Sequence, residues 1–265
     1  AAACGTDGIS AYCSGSDWVM ASSQTLAPRN EFYVAKGDGH YALLSRGDNE
    51  HVGSYLHSLE VDWGFSSPLL GESPRLTVAL LQQLLANTSD WNCAFLGGLS
   101  EETAQRISVV LYDEYRTEYR EGTHCQVSSL AGGVDGFLGR RSSNFRRNLK
   151  RAQKKASAVE LQFEHYQANS DANVWYARIL AIEADSWKAA EGKSIFDLKR
   201  YESFYRETVI RAASAGRLRS IIAVIDGVDV GYILGGVLGR CYRGFQIGFN
   251  KQHQDLSIGN LCQMT

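Results

Sequence analysis

The stretch LRSIIAVIDGVDVGYILGGVLGRCYRGFQIGF, residues 218–249, decides the fold class of this chain. It is rich in β-branched and aromatic residues, and Asp226-Gly227 is a dipeptide that favours a tight hairpin turn. A second turn is expected around Gly239-Arg240. The stretch therefore predicts three antiparallel strands in succession.

Helical patterns precede these strands and recur in the first half of the chain. Apolar residues recur three and four apart in VWYARILAIEADSWKAA (174–190) and in YESFYRETVIRAASAG (201–216). Gly216 is placed to end the second of these helices. In the first half, EFYVAKGDGHYALLSRG (31–47) predicts a hairpin with an Asp38-Gly39 turn, and LTVALLQQLLAN (76–87) predicts a helix. The fold class we expect is α+β, with mixed sheets flanked by helices in two similar halves.

The composition excludes several classes of protein. A formal net charge of -2 means that any attraction to nucleic acid or to a membrane surface must be local. The 6 cysteines form no C-x-x-C motif, so we expect free thiols in a reducing, cytoplasmic compartment and no metal site. No secretory signal is evident, and the least polar window, residues 220–239, predicts a hairpin rather than a membrane span.

A basic segment, GFLGRRSSNFRRNLKRAQKKASA (136–158), joins the two halves. Ser142 or Ser143 can cap a helix in which no acidic residue interrupts a run of cations. One interpretation is a solvated connecting helix; the other is a face for the phosphates of a cofactor, a nucleotide-linked substrate or RNA. The cations are Arg146, Arg147, Lys150, Arg151, Lys154 and Lys155.

Two phosphate-binding motifs are incomplete. EGKSIF (191–196) ends like a P-loop, but Trp187 stands where the first glycine is required. AGGVDG (131–136) follows a strand-like CQVSSL (125–130), but Ala131 replaces the first glycine of the dinucleotide fingerprint. The common hydrolase and zinc-protease signatures are absent from the sequence.

The segment after the three strands predicts a strand-to-helix corner. Gln254, Ser257 and Gly259 follow the spacing Q-x-x-S-x-G, in which Ser257 suits a helix N-cap and Gly259 lets the backbone approach a ligand. Free N–H groups at the start of a helix favour a phosphate. The corner therefore predicts a pyrophosphate site.

This order of elements resembles the GNAT N-acetyltransferase superfamily, whose pyrophosphate loop reads Q/R-x-x-G-x-G/A. Ser257 replaces its first glycine. The segment 256–259, LSIG, is similar to the L-S-P-G loop of a subgroup that includes the CelD/BcsL-like cellulose-biosynthesis acetyltransferases. That subgroup is related to the FemAB peptidyltransferases, which carry two GNAT-like halves. EADSWK (183–188) and the basic segment are similar to further motifs of the subgroup.

The resemblance implies three parts: an N-terminal GNAT-like subdomain (1–131), a basic linker helix (132–158) and an acyl-CoA-binding subdomain (159–265). It implies transfer of an acyl group from acetyl-CoA or another acyl-CoA to a small-molecule or carrier-linked amine, without a metal. Glu183, Asp185 or His253 would be the general base. Substrate would contact Trp187, Lys188, Arg147 and Arg151. Cofactor would contact Gln246, Ile247, Gly248, Phe249, Gln254, Ser257, Ile258, Gly259, Asn260 and Leu261.

Only nine residues remain from Ser257 to the last residue, Thr265, and the fifth strand of the superfamily is not among them. We therefore expect a fragment of a longer protein, with a second subdomain that lacks its C-terminal strands. One alternative is a FemAB-like aminoacyl transferase, in which the basic helix binds aminoacyl-tRNA; only this alternative involves nucleic acid. The other is a degenerate GNAT pair that acts as a scaffold or binding module.

Overall fold

The computed structural model describes residues 10–60, 62–120, 122 and 126–265. The chain forms two compact units, residues 1–125 with 238–241 and residues 126–237 with 242–265. The finer three-part division stays a prediction. Four of the cysteines are free thiols, namely Cys13, Cys93, Cys241 and Cys262. Cys4 and Cys125 lie outside the described residues.

The first unit contains a mixed sheet and three helices within its described residues. Its elements are α1 Ser16–Thr25, β1 Glu31–Gly37, β2 His40–Asn49, β3 Gly53–His57, β4 Leu69–Leu70, α2 Pro74–Asn87, β5 Cys93–Phe95 and α3 Glu101–Val110. The strand order is β1-β2-β3-β5, with β4 paired to β2. β3 and β5 run parallel, whereas the other pairs are antiparallel.

The predicted hairpin of the first unit is confirmed. β1 pairs with β2 through the Asp38-Gly39 turn, whose two residues have φ values of 48° and 75°. Positive φ at both positions is the type I′ geometry that Asp-Gly favours. The predicted helix at 76–87 is α2, and its apolar face packs on the sheet through Val78, Leu81 and Leu85.

The second unit contains a four-stranded sheet between two layers of helices. Its elements are α4 Gly133–Gly139, α5 Ser143–Ala158, β6 Gln162–His165, α6 Ala172–Ala184, α7 Trp187–Ala190, a 3-10 helix Ile195–Asp197, α8 Lys199–Ser214, β7 Leu218–Ile225, β8 Val228–Leu238, β9 Cys241–Phe249, a 3-10 helix Lys251–Leu256 and α9 Ile258–Cys262. The strand order is β6-β7-β8-β9. The predicted three-strand run is confirmed, with turns at Asp226-Gly227 and Gly239-Arg240.

The two faces of this sheet carry different helices. Trp175 of α6 donates from Nε1 to Ser220 Oγ on β7 at 2.9 Å, and Tyr205 of α8 accepts from Gln246 on β9 at 3.0 Å. On the opposite face, Ile258 of α9 lies in an apolar cluster with Ile221 and other residues of β7 and β8. α5 packs outside α9, where Leu149, Ala152 and Ala156 contact Leu261.

Two sequence-based predictions are wrong, and one strand was missed. The helix predicted at 174–190 is two helices, because the Ser186 side chain accepts from the N–H of Ala189 at 3.2 Å and starts α7. The described residues of CQVSSL, 126–130, form no strand. Strand β6 was not predicted; it is four residues long, too short for a periodic signal.

The two hairpins also differ in strand order. β1–β2 forms an edge of the first sheet, whereas β7–β8 occupies the centre of the second. The two sheets are therefore not equal in strand order, and a tandem duplication stays a prediction.

Candidate active site

A buried carboxylate lies at the end of α6. Glu183 is only 2% exposed, and its carboxylate accepts from three side chains. Tyr232 Oη donates to Oε2 at 2.8 Å, while Ser194 Oγ donates to Oε1 at 3.1 Å and Lys188 Nζ lies 2.9 Å from Oε1. A carboxylate removed from water is costly unless it is paired and hydrogen-bonded in this way. The four side chains therefore form a connected buried cluster, which we call the Glu183 cluster.

The helix break at Asp185 creates this cluster. Because α6 ends at Ala184 and Ser186 starts α7, Lys188 turns back toward Glu183 rather than continuing along one helix. The Lys188 side chain is 14% exposed, so the pair lies just beneath the surface. Burial, followed by the nearby Glu183 carboxylate, raises the pKa of Tyr232 well above its usual value. Tyr232 therefore remains a protonated donor.

Gly248 of β9 lies directly against the cluster. A Cβ at this position would lie 2.5 Å from Glu183 Oε2 and 2.5 Å from Tyr232 Cε1. No real side chain tolerates such a distance without a shift of its neighbours. The glycine thus permits the backbone of β9 to approach the carboxylate.

The outer edge of β9 has no neighbouring strand among the described residues. Asn250 donates its N–H to Val230 of β8 at 2.8 Å, so strand alternation turns the backbone groups of Gln246 and Gly248 toward β8 and those of Ile247 outward. At the C-terminal end of β9, Ser186 and Asn250 form an isolated antiparallel β-bridge. Next to it, the Lys251 N–H donates to the Asp185 carbonyl at 3.2 Å. The exposed part of the edge therefore ends where the Glu183 cluster begins.

The corner after β9 differs from the prediction. A 3-10 helix, Lys251–Leu256, intervenes before α9, and Ser257 adopts a left-handed conformation with φ 52° and ψ 40°. Ser257 is the N-cap residue, but its side chain forms no capping hydrogen bond. A Cβ on Gly259 would lie 2.6 Å from Ile247 Cδ1, so the glycine accommodates Ile247 rather than open space for a ligand.

The other corner residues divide into buried and exposed positions. The side chains of Ile258 and Leu261 are buried in apolar clusters, so only their backbone groups could reach a ligand. Gln254 and Asn260 are exposed. A left-handed residue after a right-handed turn brings successive backbone N–H groups together, which suits an anion. The corner thus fits a pyrophosphate through its backbone and not through its apolar side chains.

The basic segment forms helix α5, with Ser142 as its cap. Its apolar residues face the core, and its cations line a groove on the outer side. Lys155 Nζ lies 2.9 Å from Asp255 Oδ2, next to the corner, and Arg147 donates to Asn144 Oδ1 at 2.9 Å. The groove is lined by Ser143, Arg146, Arg147, Lys150, Arg151 and Lys154.

Several predicted site residues come together and others do not. Glu183, Lys188 and Gly248 meet in the Glu183 cluster, whereas Asp185 and Trp187 are exposed and the ring of His253 is half-buried in the 3-10 helix. Phe249 packs on the opposite face of the sheet, with the apolar cluster around Ile258.

Sequence reasoning missed Ser194, Tyr232 and Tyr205. Ser194 lies in the segment that was considered only as an incomplete P-loop, and Tyr232 was treated as one strand residue among many. A tyrosine at the centre of an otherwise apolar strand was the available signal, because a buried hydroxyl requires a partner.

Residues 143–265 match a family model described as an acetyltransferase (GNAT) domain. This segment resembles a GNAT acetyltransferase domain. The match supports the GNAT superfamily and an acyl-transfer function, and thereby a transferase. A search of curated proteins gave no significant match.

Two solved structures are similar to the whole chain. One is a conserved protein of unknown function from Bacteroides thetaiotaomicron, with 12% identity, coverage of 93% of this chain and 74% of that chain, and a TM-score of 0.55. The other is the C-terminal domain (DUF2156) of a protein from Agrobacterium fabrum described as a lysylphosphatidylglycerol synthetase, with 10% identity, coverage of 94% and 74%, and a TM-score of 0.44. At this identity the first shows a shared fold alone.

The described part of the chain offers neither a metal site nor a membrane-spanning helix. No group of three or more histidine, cysteine, aspartate or glutamate side chains is placed to hold a metal ion there. No helix in the same part is long and apolar enough to cross a membrane.

Proposed function

We propose that residues 143–265 transfer an acyl group from acyl-CoA to an amine. The observation that carries this proposal is the open edge of β9, which ends at the Glu183 cluster and leads into the corner at Ser257. The match to an acetyltransferase (GNAT) domain supports it. The finer assignment to the CelD/BcsL-like subgroup rests on the sequence motifs.

The residues present fit the two ends of such a cofactor. The outward N–H and C=O groups of Ile247 can pair with amide groups of an extended pantetheine arm, as an added strand would. The backbone of the corner suits the pyrophosphate. When bound, the cofactor supplies an acyl thioester that an amine can attack.

The protein's own task is to hold the reactants together and to accept a proton from the amine. The Glu183 carboxylate already accepts from three donors, so we assign it a positioning role: it fixes Lys188 and Tyr232 beside β9. Asp185 and His253 are accessible and remain the candidates for the general base. Asp185 is the C-cap residue of α6, and its carbonyl accepts from the Lys251 N–H just after β9, so it lies beside the edge of that strand.

Calorimetric titration with acetyl-CoA tests the proposal. We expect saturable binding to the wild-type protein and to Ile247→Ala, which keeps every backbone group. Ile247→Pro should bind at least about tenfold more weakly, because proline removes an outward N–H without removing a β8 hydrogen bond. Equal affinity of both variants would contradict binding of the cofactor along the edge of β9. If the wild-type protein does not bind acetyl-CoA, the assignment of acetyl-CoA as the cofactor is contradicted.

One observation favours a second function. The groove of α5 would suit the backbone of an aminoacyl-tRNA, as in a FemAB-like aminoacyl transferase. Titration with tRNA in the same buffer separates the two functions. Binding of tRNA without binding of acetyl-CoA would favour the aminoacyl transferase, and binding of neither would favour a scaffold.

A further inference from the structure

The outer face of α5 carries more positive charge than its structural surroundings neutralise. Of the chain's 27 lysines and arginines, 8 lie between residues 140 and 155, and no aspartate or glutamate lies among them. Arg146 donates to backbone carbonyls of Leu138 and Arg141, and Lys155 pairs with Asp255. The side chains of Lys150, Arg151 and Lys154 form no hydrogen bond or ion pair with any described residue. Three cations on one face therefore have free donors.

Helix geometry connects this face to the corner after β9. Arg151 and Lys155 are four residues apart, so they lie on one line along the helix, separated by a rise of about 6 Å. Lys155 reaches Asp255 in the 3-10 helix that precedes Ser257. The line of cations thus begins at the corner and runs away from it along α5.

We propose that Arg151 and Lys154 bind the 3′-phosphate of the CoA nucleotide, a proposal that rests on the proposed function. In CoA the 3′-phosphate lies across one ribose from the pyrophosphate. A pyrophosphate at the corner therefore brings this second phosphate near Arg151 and Lys154, the cations within one helical turn of Lys155. The Lys155–Asp255 ion pair neutralises the one carboxylate of the 3-10 helix, which would otherwise repel both phosphates.

The groove favours a nucleotide end over a membrane surface. The apolar residues of α5 are turned inward against Leu261, so the helix presents no apolar side to insert into lipid. The lining of the groove is a serine and five cations, which suits phosphate oxygens. Because the face is exposed to solvent, the attraction must weaken as the salt concentration rises.

The test compares acetyl-CoA with acetyl-3′-dephospho-CoA by calorimetric titration. We expect wild-type protein to bind acetyl-CoA about tenfold more tightly, since two exposed charge pairs each contribute modestly. Arg151→Gln combined with Lys154→Gln should remove that preference while binding of the dephospho compound stays unchanged. Lys36→Gln, an exposed lysine of the first unit, is the control and should keep the preference.

Each result has one meaning for the proposal. Equal affinity of wild-type protein for the two compounds would overturn it while leaving acyl-CoA binding intact. A preference that survives in the double variant would also overturn it, because the 3′-phosphate would then be held elsewhere. Failure of both compounds to bind would overturn the proposed function itself. If a single-stranded RNA binds the wild-type protein but not the double variant, and no preference for the 3′-phosphate is seen, the face binds nucleic acid instead.

Discussion

Gly248→Ala is expected to destabilise the second unit through one steric conflict. The added Cβ would lie 2.5 Å from both Glu183 Oε2 and Tyr232 Cε1 and 3.1 Å from Tyr232 Cζ. Neither neighbour can move easily, because Tyr232 is fully buried and Glu183 accepts from three side chains. The atoms that must yield therefore belong to the Glu183 cluster and to the backbone of β9.

The magnitude follows from the cost of inserting one methyl group into a packed interior. Such insertions reduce the free energy of unfolding by about 1 to 3 kcal/mol. Each kcal/mol lowers the melting temperature of a domain of this size by roughly 2 to 4 °C, so we expect a decrease of about 2 to 12 °C. The assay is differential scanning calorimetry, following the transition that includes residues 126–237 and 242–265.

Gly244→Ala provides a matched control on the same strand. Residues 244 and 248 lie on one face of β9, but a Cβ on Gly244 would come no nearer than 3.8 Å to Tyr242 Cε1. Because alanine also restricts the unfolded chain, this variant should be unchanged or more stable by up to about 1 kcal/mol. Equal melting temperatures for the two variants would refute the close packing of β9 on Glu183.

Three other predictions follow from buried or paired groups. Burial lowers the pKa of His57, so the fold favours its neutral form. The stability that this residue contributes is therefore present above about pH 6.5, the usual pKa of histidine, and is lost as the pH falls below it. His57→Gln should flatten that pH dependence in thermal melts. Asp229→Asn should lower the free energy of unfolding by about 1 to 2 kcal/mol in urea titrations, because it breaks the bidentate contact with Arg178 at 2.7 and 2.8 Å; no loss would mean that the contact adds nothing. Burial raises the pKa of Cys262 to about 12, so a thiol reagent at pH 8 should label exposed Cys241 quickly and Cys262 only on unfolding. Rapid labelling of Cys262 in the folded Cys241→Ser variant, measured by mass spectrometry, would contradict this.

Much of the fold was predictable, because the decisive signals are local. Asp-Gly turns specify type I′ hairpins, and a left-handed glycine such as Gly216, with φ 67°, ends a helix. The break at Asp185 was not predicted, since the apolar periodicity continues through it and a capping serine inside a helical pattern is a weak signal. Strand β6 gave no signal because it is short.

The candidate site was predictable only in part, because it depends on contacts between residues distant in sequence. Glu183 and Lys188 lie in one motif, but the third and fourth members, Ser194 and Tyr232, are 11 and 49 residues from Glu183. The role of Gly259 was misjudged for the same reason: its missing side chain makes room for Ile247, a residue from the preceding strand. Spacing along the chain gives no information on such pairs.

The Glu183 cluster connects stability to the proposed function, and one double-mutant cycle can separate the two. Glu183→Gln leaves Lys188 without its ion-pair partner, and Lys188→Met leaves the more deeply buried Glu183 carboxylate without its cation, so each single change should cost about 3 kcal/mol. If the pair only stabilises the fold, the variant that combines both changes should recover most of the lost stability and bind acetyl-CoA as wild type does. If Glu183 and Lys188 also position the edge of β9 beside the thioester, the combined variant should recover stability without recovering acyl transfer. If the combined variant recovers both stability and acyl transfer, the Glu183 cluster has only a structural role. Asp185 and His253 are then the groups to examine for proton transfer.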